Sequence, residues 1–196
     1  RRTVEKSLPV GAVLTIPAAG SETSDSAVLT DEQSGQKRGL STPHNRPVFA
    51  VMDPALALSL PDFQVSCGVV DIMMHTLDRY FNPVATNELT DALAEALLRT
   101  VIANGRKALA DRADCHAMSE IMWCGSVSHN GLTGLGGEKD FAPHQLGHEL
   151  SARFDVAHGA SLSAVWGAWA AEALAAAGPA RFAQYGRAVW GLAGED

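Results

Sequence analysis

The chain has 196 residues, 46% of them hydrophobic and 19% charged, enough apolar material for one sizeable core or a core plus part of a second. Its net charge of −7 argues against a protein whose main work is gripping phosphate backbones, so no nucleic-acid partner is expected. No run of eighteen apolar residues is present, and no membrane partner is expected either.

The opening Arg1-Arg2-Thr3-Val4-Glu5 has neither an initiator Met nor a signal-peptide apolar core. Up to residue 60, short β-like runs alternate with turn residues: Ala12 to Ile16, Ala27 to Thr30 and Pro47 to Met52, separated by Gly20-Ser21, Ser34-Gly35 and the Pro43 to Arg46 loop. Beyond residue 60 the pattern is helical throughout. Asp62 to Phe81 is one helix, stopped at Asn82-Pro83. Asn87 to Ala103 carries Leu89, Leu93, Ala96, Leu97 and Val101 on one stripe and ends near Asn104-Gly105. Asp114 to His129 is a third helix, followed by a glycine-rich loop from Gly131 to Gly137. Asp140 to Phe154 is a fourth, with Asp140 as its N-cap. Ala157 to Ala176 is a fifth, alanine-rich and expected to be buried, and Gly178-Pro179 breaks it before a sixth from Pro179 to Leu192. Met73, Met74, Trp123, Trp166 and Trp169 are core candidates. The chain ends at Gly194-Glu195-Asp196, directly after that helix, and both ends look like cuts within a longer protein.

Cys67, Cys115 and Cys124 follow no pairing pattern, and buried free thiols in a reducing, cytoplasmic setting are expected. The chemistry concentrates in two groups. Asp71 and His75 lie four apart on one helix face among Val69, Val70, Ile72, Met73 and Met74. A carboxylate and an imidazole in such company need compensation. A helix-internal Asp–His hydrogen bond would supply it, and so would a metal ion. The second group is His144 and His148, again four apart, with His158 near the start of the next helix. Satisfied core or surface histidines and metal ligands are both open for this cluster. His148-Glu149 does not open a zinc-protease H-E-x-x-H motif, because residue 152 is Ala. Taken together, one Asp and three or four His from separate helices favour a mononuclear metal site with Lewis-acid chemistry.

Three segments then match a known family: Gly68-Val69-Val70-Asp71-Ile72-Met73-Met74-His75-Thr76, His144-Gln145-Leu146-Gly147-His148-Glu149-Leu150 and Ala157-His158-Gly159-Ala160. In this order and spacing they resemble the iron-containing (group III) alcohol dehydrogenase family, in particular its butanol-dehydrogenase-like, broad aldehyde-reductase branch. The resemblance runs on through Pro47 to Leu60 and Phe182 to Leu192, essentially the whole chain. It implies a mainly α fold of the dehydroquinate synthase-like type. Residues 1–60 would be a remnant of an α/β nucleotide-binding domain, most of which is lacking, and residues 61–196 an all-helical catalytic domain. It implies metal ligands Asp71, His75, His144 and His158 for one Fe(II) or Zn(II), with His148 near substrate and cofactor. It also implies hydride transfer between NAD(P)H and a primary alcohol or aldehyde, in a homodimer or larger assembly.

Of the cofactor contacts, Pro17-Ala18-Ala19-Gly20-Ser21-Glu22 is similar to the family's small-residue loop, with Gly20 and Ser21 as binding residues. Ala19 stands where members often carry Thr, which removes a hydroxyl. Lys37 falls where the family has a lysine facing the nucleotide, with an exposed loop lysine as the alternative. The family's Gly-Gly-Gly-Ser diphosphate motif is not in this sequence, and neither Lys107 nor Gly136-Gly137 substitutes for it. The alternative is therefore a non-catalytic metal-binding fragment that cannot bind cofactor productively.

Overall fold

A computed structural model describes residues 4–82, 87–138 and 140–194. The expected helix stop at Pro83 and the readings made at Arg1–Thr3 and Glu195-Asp196 lie outside these described residues.

The first sixty residues form two small sheets. Strand β1 (Gly11–Val13) and, further on, β4 (Phe49–Val51) pair in parallel, Ala12 opposite Ala50. Strands β2 (Ser26–Thr30) and β3 (Lys37–Ser41) form an antiparallel ribbon with Val28 opposite Gly39. Its turn is held by Asp31, whose carboxylate accepts from the Gln33 N–H and the Ser34 hydroxyl. The three expected runs correspond to β1, β2 and β4, and β3 has no counterpart among them. Lys37-Arg38-Gly39 shows no apolar alternation because this ribbon lies largely in solvent on both faces.

Among the described residues six α-helices follow: α1 (Asp62–Tyr80), α2 (Glu88–Ala110), α3 (Cys115–His129), α4 (Ala142–Phe154), α5 (His158–Ala177) and α6 (Ala180–Trp190). Asn87 caps α2 by accepting from the Thr90 N–H, and Asp114 caps α3 through the Ala117 N–H. Asp140 accepts from the Ala142 N–H, so it does hold the start of α4, with Phe141 between it and the helix. Helix α2 runs two turns past the expected stop. Asn104 bonds its side-chain amide to the Thr100 carbonyl, and Gly105 is buried where a Cβ would come 3.0 Å from Val69 on α1. The glycine is a contact point between helices, where the sequence suggested a terminator.

Helix α1 is the axis of the molecule. Its Val65 and Ile72 join Leu97, Val101, Met118, Ile121 and Met122 in one core cluster. Its Met74, Leu77 and Tyr80 join Leu98, Phe81 and Leu162 in a second. Fully burying such side chains stabilises by about 1.5–3 kcal/mol each, so α1 is fixed from two sides. Two core expectations change. Trp123 is 61% exposed, and only Met74 of the other four candidates is fully buried, while Met73, Trp166 and Trp169 are half-buried. Helix α5 buries Gly159, Ser161 and Leu162 in its first turns, and from Ser163 onward it is half-buried or exposed, because among the described residues nothing packs on its outer face. Cys115, at the start of α3, is exposed, whereas Cys67 and Cys124 are buried.

Candidate metal centre

The rigid middle of α1 presents Asp71, His75 and Asp78 on one face, at successive turns. Helix α4 brings His144 and His148 against it. The chain then reverses through Asp155, held in the left-handed conformation at φ 51°, so that α5 starts at His158. Gly159 allows this approach: a Cβ there would lie 2.0 Å from the Cys67 carbonyl oxygen of α1.

Three side chains converge. Ligand atoms of Asp71, His144 and His158 all lie within 4.8 Å of one another. Asp71 Oδ1 is 3.6 Å from His144 Nε2 and 3.7 Å from His158 Nε2. Ligands about 2.1 Å from one ion at tetrahedral corners stand roughly 3.4 Å apart, close to these separations. Asp71 Oδ1 and His144 Nε2 are buried with no hydrogen-bond partner among the described residues. Two such atoms facing each other are costly in a dry interior, and a divalent cation would satisfy both. The donor set fits a metal.

His75 stands beside this group. Its Nδ1 donates to the Asp71 carbonyl at 2.9 Å and lies 3.1 Å from Asp71 Oδ1, and its ring centroid is 4.2 Å from that of His144. The helix-internal Asp–His contact and the cluster are thus both present. His148 stacks on His158 with centroids 4.9 Å apart, at the half-buried rim.

Electrostatics follow from burial and these neighbours. Burial pushes the Asp71 carboxyl up, but His75, His144 and His158 outweigh it and hold the group well below the usual carboxylate range. Burial works against a charged His144, yet Asp71 and Asp78 prevail and raise its pKa. His158 is pushed down to about 4, chiefly by burial, and His148 is lowered by burial and then by Lys37.

The expected cofactor residues fall around this centre. Gly20, at φ 57°, packs on the end of α3, where a Cβ would lie 2.4 Å from the Cβ of His129. Ser21 is exposed on the same loop. Lys37 lines a cleft of about 340 Å3 with Gly35, Gln36, Arg38, Glu149 and Ala152, close enough to depress both rim histidines. Gly136, at φ 82°, belongs to the α3–α4 connection, and Lys107 to α2.

Two residues escaped the sequence reading. Asp78 Oδ2 lies 2.5 Å from His144 Nδ1; the repeat 71, 75, 78 along one face was the available signal. His129 ends α3 with its ring centroid 4.4 Å from that of His75 and its Nε2 2.7 Å from the Ser24 hydroxyl. In the sequence it stands only as the last residue of a helix. Arg79 fastens this corner, donating to the His75 carbonyl at 2.5 Å and the Ser128 carbonyl at 2.8 Å beneath the Phe141 ring.

Residues 65–195 match the family model described as Fe-containing alcohol dehydrogenase family, C-terminal, and residues 1–54 match iron-containing alcohol dehydrogenase. The chain belongs to the iron-containing alcohol dehydrogenase family. It is 36% identical over 189 residues to NADH-dependent butanol dehydrogenase A of Clostridium acetobutylicum, covering 96% of this chain and 49% of that protein. It is 38% identical over 164 residues to the NADPH-dependent aldehyde reductase YqhD of Escherichia coli, covering 84% and 42%. The crystal structure of NADH-dependent butanol dehydrogenase A from Thermotoga maritima superposes with a TM-score of 0.95 at 32% identity, over 100% of this chain and 49% of that one. The mainly helical fold expected of an iron-containing alcohol dehydrogenase is therefore the fold observed. The chain spans about half the length of the relatives it matches.

Proposed function

We propose that this chain carries the metal centre of an NAD(P)-dependent alcohol dehydrogenase or aldehyde reductase, with Asp71, His75, His144 and His158 holding one Fe(II) or Zn(II). The observation that carries it is the convergence of Asp71, His144 and His158 around facing, unsatisfied buried atoms in a chain of this family. His75 joins as fourth ligand through Nε2, since its Nδ1 is committed to the Asp71 carbonyl. A divalent ion there supplies Lewis acidity toward an alcohol or aldehyde oxygen, and the nicotinamide supplies the hydride chemistry. His148, at the half-buried rim beside His158, would take the alcohol proton in one direction and return it in the other. The Gly20-Ser21 loop and Lys37 are the proposed cofactor contacts.

In this reading, residues 1–60 belong to the nucleotide-binding part and residues 61–196 are the catalytic helical part. The relatives' names support a primary alcohol or aldehyde substrate. A cytoplasmic setting suits the unpaired thiols, and among the described residues no helix is long and apolar enough to cross a membrane. We also propose a homodimer or larger assembly.

A second reading has one observation behind it: this span contains no Gly-Gly-Gly-Ser motif. On this reading it binds metal without productive cofactor binding. Elemental analysis of anaerobically purified chain, paired with NAD(P)H oxidation on butyraldehyde, separates the two. About one equivalent of iron or zinc with turnover supports the dehydrogenase. Metal without turnover supports the second reading, and no metal refutes both.

A further inference from the structure

The carboxylate of Asp78 has no part in the ligand set, yet it is fully buried and sits behind one of the ligands. Its Oδ2 is 2.5 Å from His144 Nδ1, while the opposite ring nitrogen, Nε2, is the one facing Asp71 Oδ1 and lacking a partner. An imidazole can bind a cation only through a nitrogen that carries a lone pair, and which nitrogen that is depends on where the other is bonded. A carboxylate offers no N–H to the ring. At Nδ1 it therefore holds a proton there and leaves Nε2 bare.

The arrangement is unlike that of the other ligands. The Nδ1 of His75 is held by a main-chain carbonyl of its own helix, which no substitution removes. His158 Nδ1 is buried with no partner among the described residues. Only the ring of His144, on α4, is oriented by a side chain from another helix, and that side chain lies two turns from Asp71 on α1. One face of α1 thus supplies both a ligand and the group that aims a second ligand at the same point.

We propose that Asp78 is a positioning residue of the metal centre: it fixes the Nδ1-protonated tautomer and the ring orientation of His144, so that Nε2 points at the ion. This rests on the metal reading above. Carboxylates in this role raise ligand basicity as well as fixing geometry, and their removal lowers metal affinity about 10- to 100-fold.

The test compares wild type, Asp78→Asn and Asp71→Ala, using zinc in competition with a chromophoric chelator and the visible absorption of the cobalt(II) form. Asn keeps the size of Asp, so folding is checked by circular dichroism and thermal melting, with Asp78→Glu as a second variant that restores a carboxylate. The expected result is a 10- to 100-fold loss of zinc affinity in Asp78→Asn with altered cobalt absorption, partial recovery in Asp78→Glu, and complete loss in Asp71→Ala. A carboxylate that merely supported packing would lower the melting temperature and leave the cobalt spectrum unchanged, and that result overturns the role. Equal zinc affinity in wild type and Asp78→Asn overturns it too, with the metal centre still standing. Failure of wild type to bind zinc or cobalt refutes the centre itself and this role with it.

Discussion

Asp71 is two per cent exposed, faces three imidazoles and has an oxygen with no hydrogen-bond partner. Removing that charge removes the proposed anionic ligand, so Asp71→Asn, like His158→Ala, is expected to retain less than roughly a tenth of an equivalent of metal. Normal metal content in either variant, by elemental analysis, would refute the ligand assignment. His148 stacks behind His158 at the rim, and His148→Ala should keep most of the metal while turnover falls about 100-fold, the usual size of a lost acid–base contribution. Loss of the metal along with activity would make His148 a ligand. Cysteine chemistry gives an independent check on burial. The thiolate is the reactive form, and burial pushes Cys124 up to about 12 and raises Cys67 as well, leaving very little thiolate at pH 8. Native chain should therefore release one fast equivalent in a disulfide-exchange assay, from exposed Cys115, and three after denaturation. Three fast equivalents in the native state would contradict the packing of α1 and α3.

Among the elements, the helices were legible because their periodicity and caps agree; Asn87 and Asp114 perform the capping the sequence advertises. What could not be read were features set by partners distant in sequence. Gly105 resembles a stop until Val69 is placed against it, and β3 has no pattern of its own apart from its pairing with β2. The same division holds at the metal centre. Asp71, His75, His144, His148 and His158 were visible as spacings within helices and through the family motif. Asp78 and His129 matter through contacts across the fold, 66 residues apart in the case of Asp78 and His144. Glycines at helix crossings make these contacts possible, and Gly159 is the most demanding. Gly159→Ala would force α5 away from the Cys67 carbonyl, costing about 1–3 kcal/mol and shifting the neighbouring His158. The expected outcome is a lower melting temperature together with weaker zinc binding. An alanine variant with both unchanged would show that the α1–α5 approach is looser than described.

For the whole molecule, apolar surface is unevenly distributed. Trp123 at 61%, Leu89 at 70% and Phe154 at 61% exposure lie on helices whose other faces are packed, and much of α5 is open. Surfaces of this kind mark association sites. Sedimentation velocity is expected to find a dimer or larger species, and a monodisperse 20.6 kDa monomer across micromolar concentrations would rule out self-association by this chain.

The proposed ligands lie on α1, α4 and α5, elements that meet only when the chain is folded. An ion held there selects the folded state by mass action, adding about 2.7 kcal/mol when free metal is a hundred times its dissociation constant. The lifetime of this protein would then follow the metal economy of its surroundings. Chains made during scarcity would open more often and be cleared by proteases, so that abundance falls before any catalytic defect is felt.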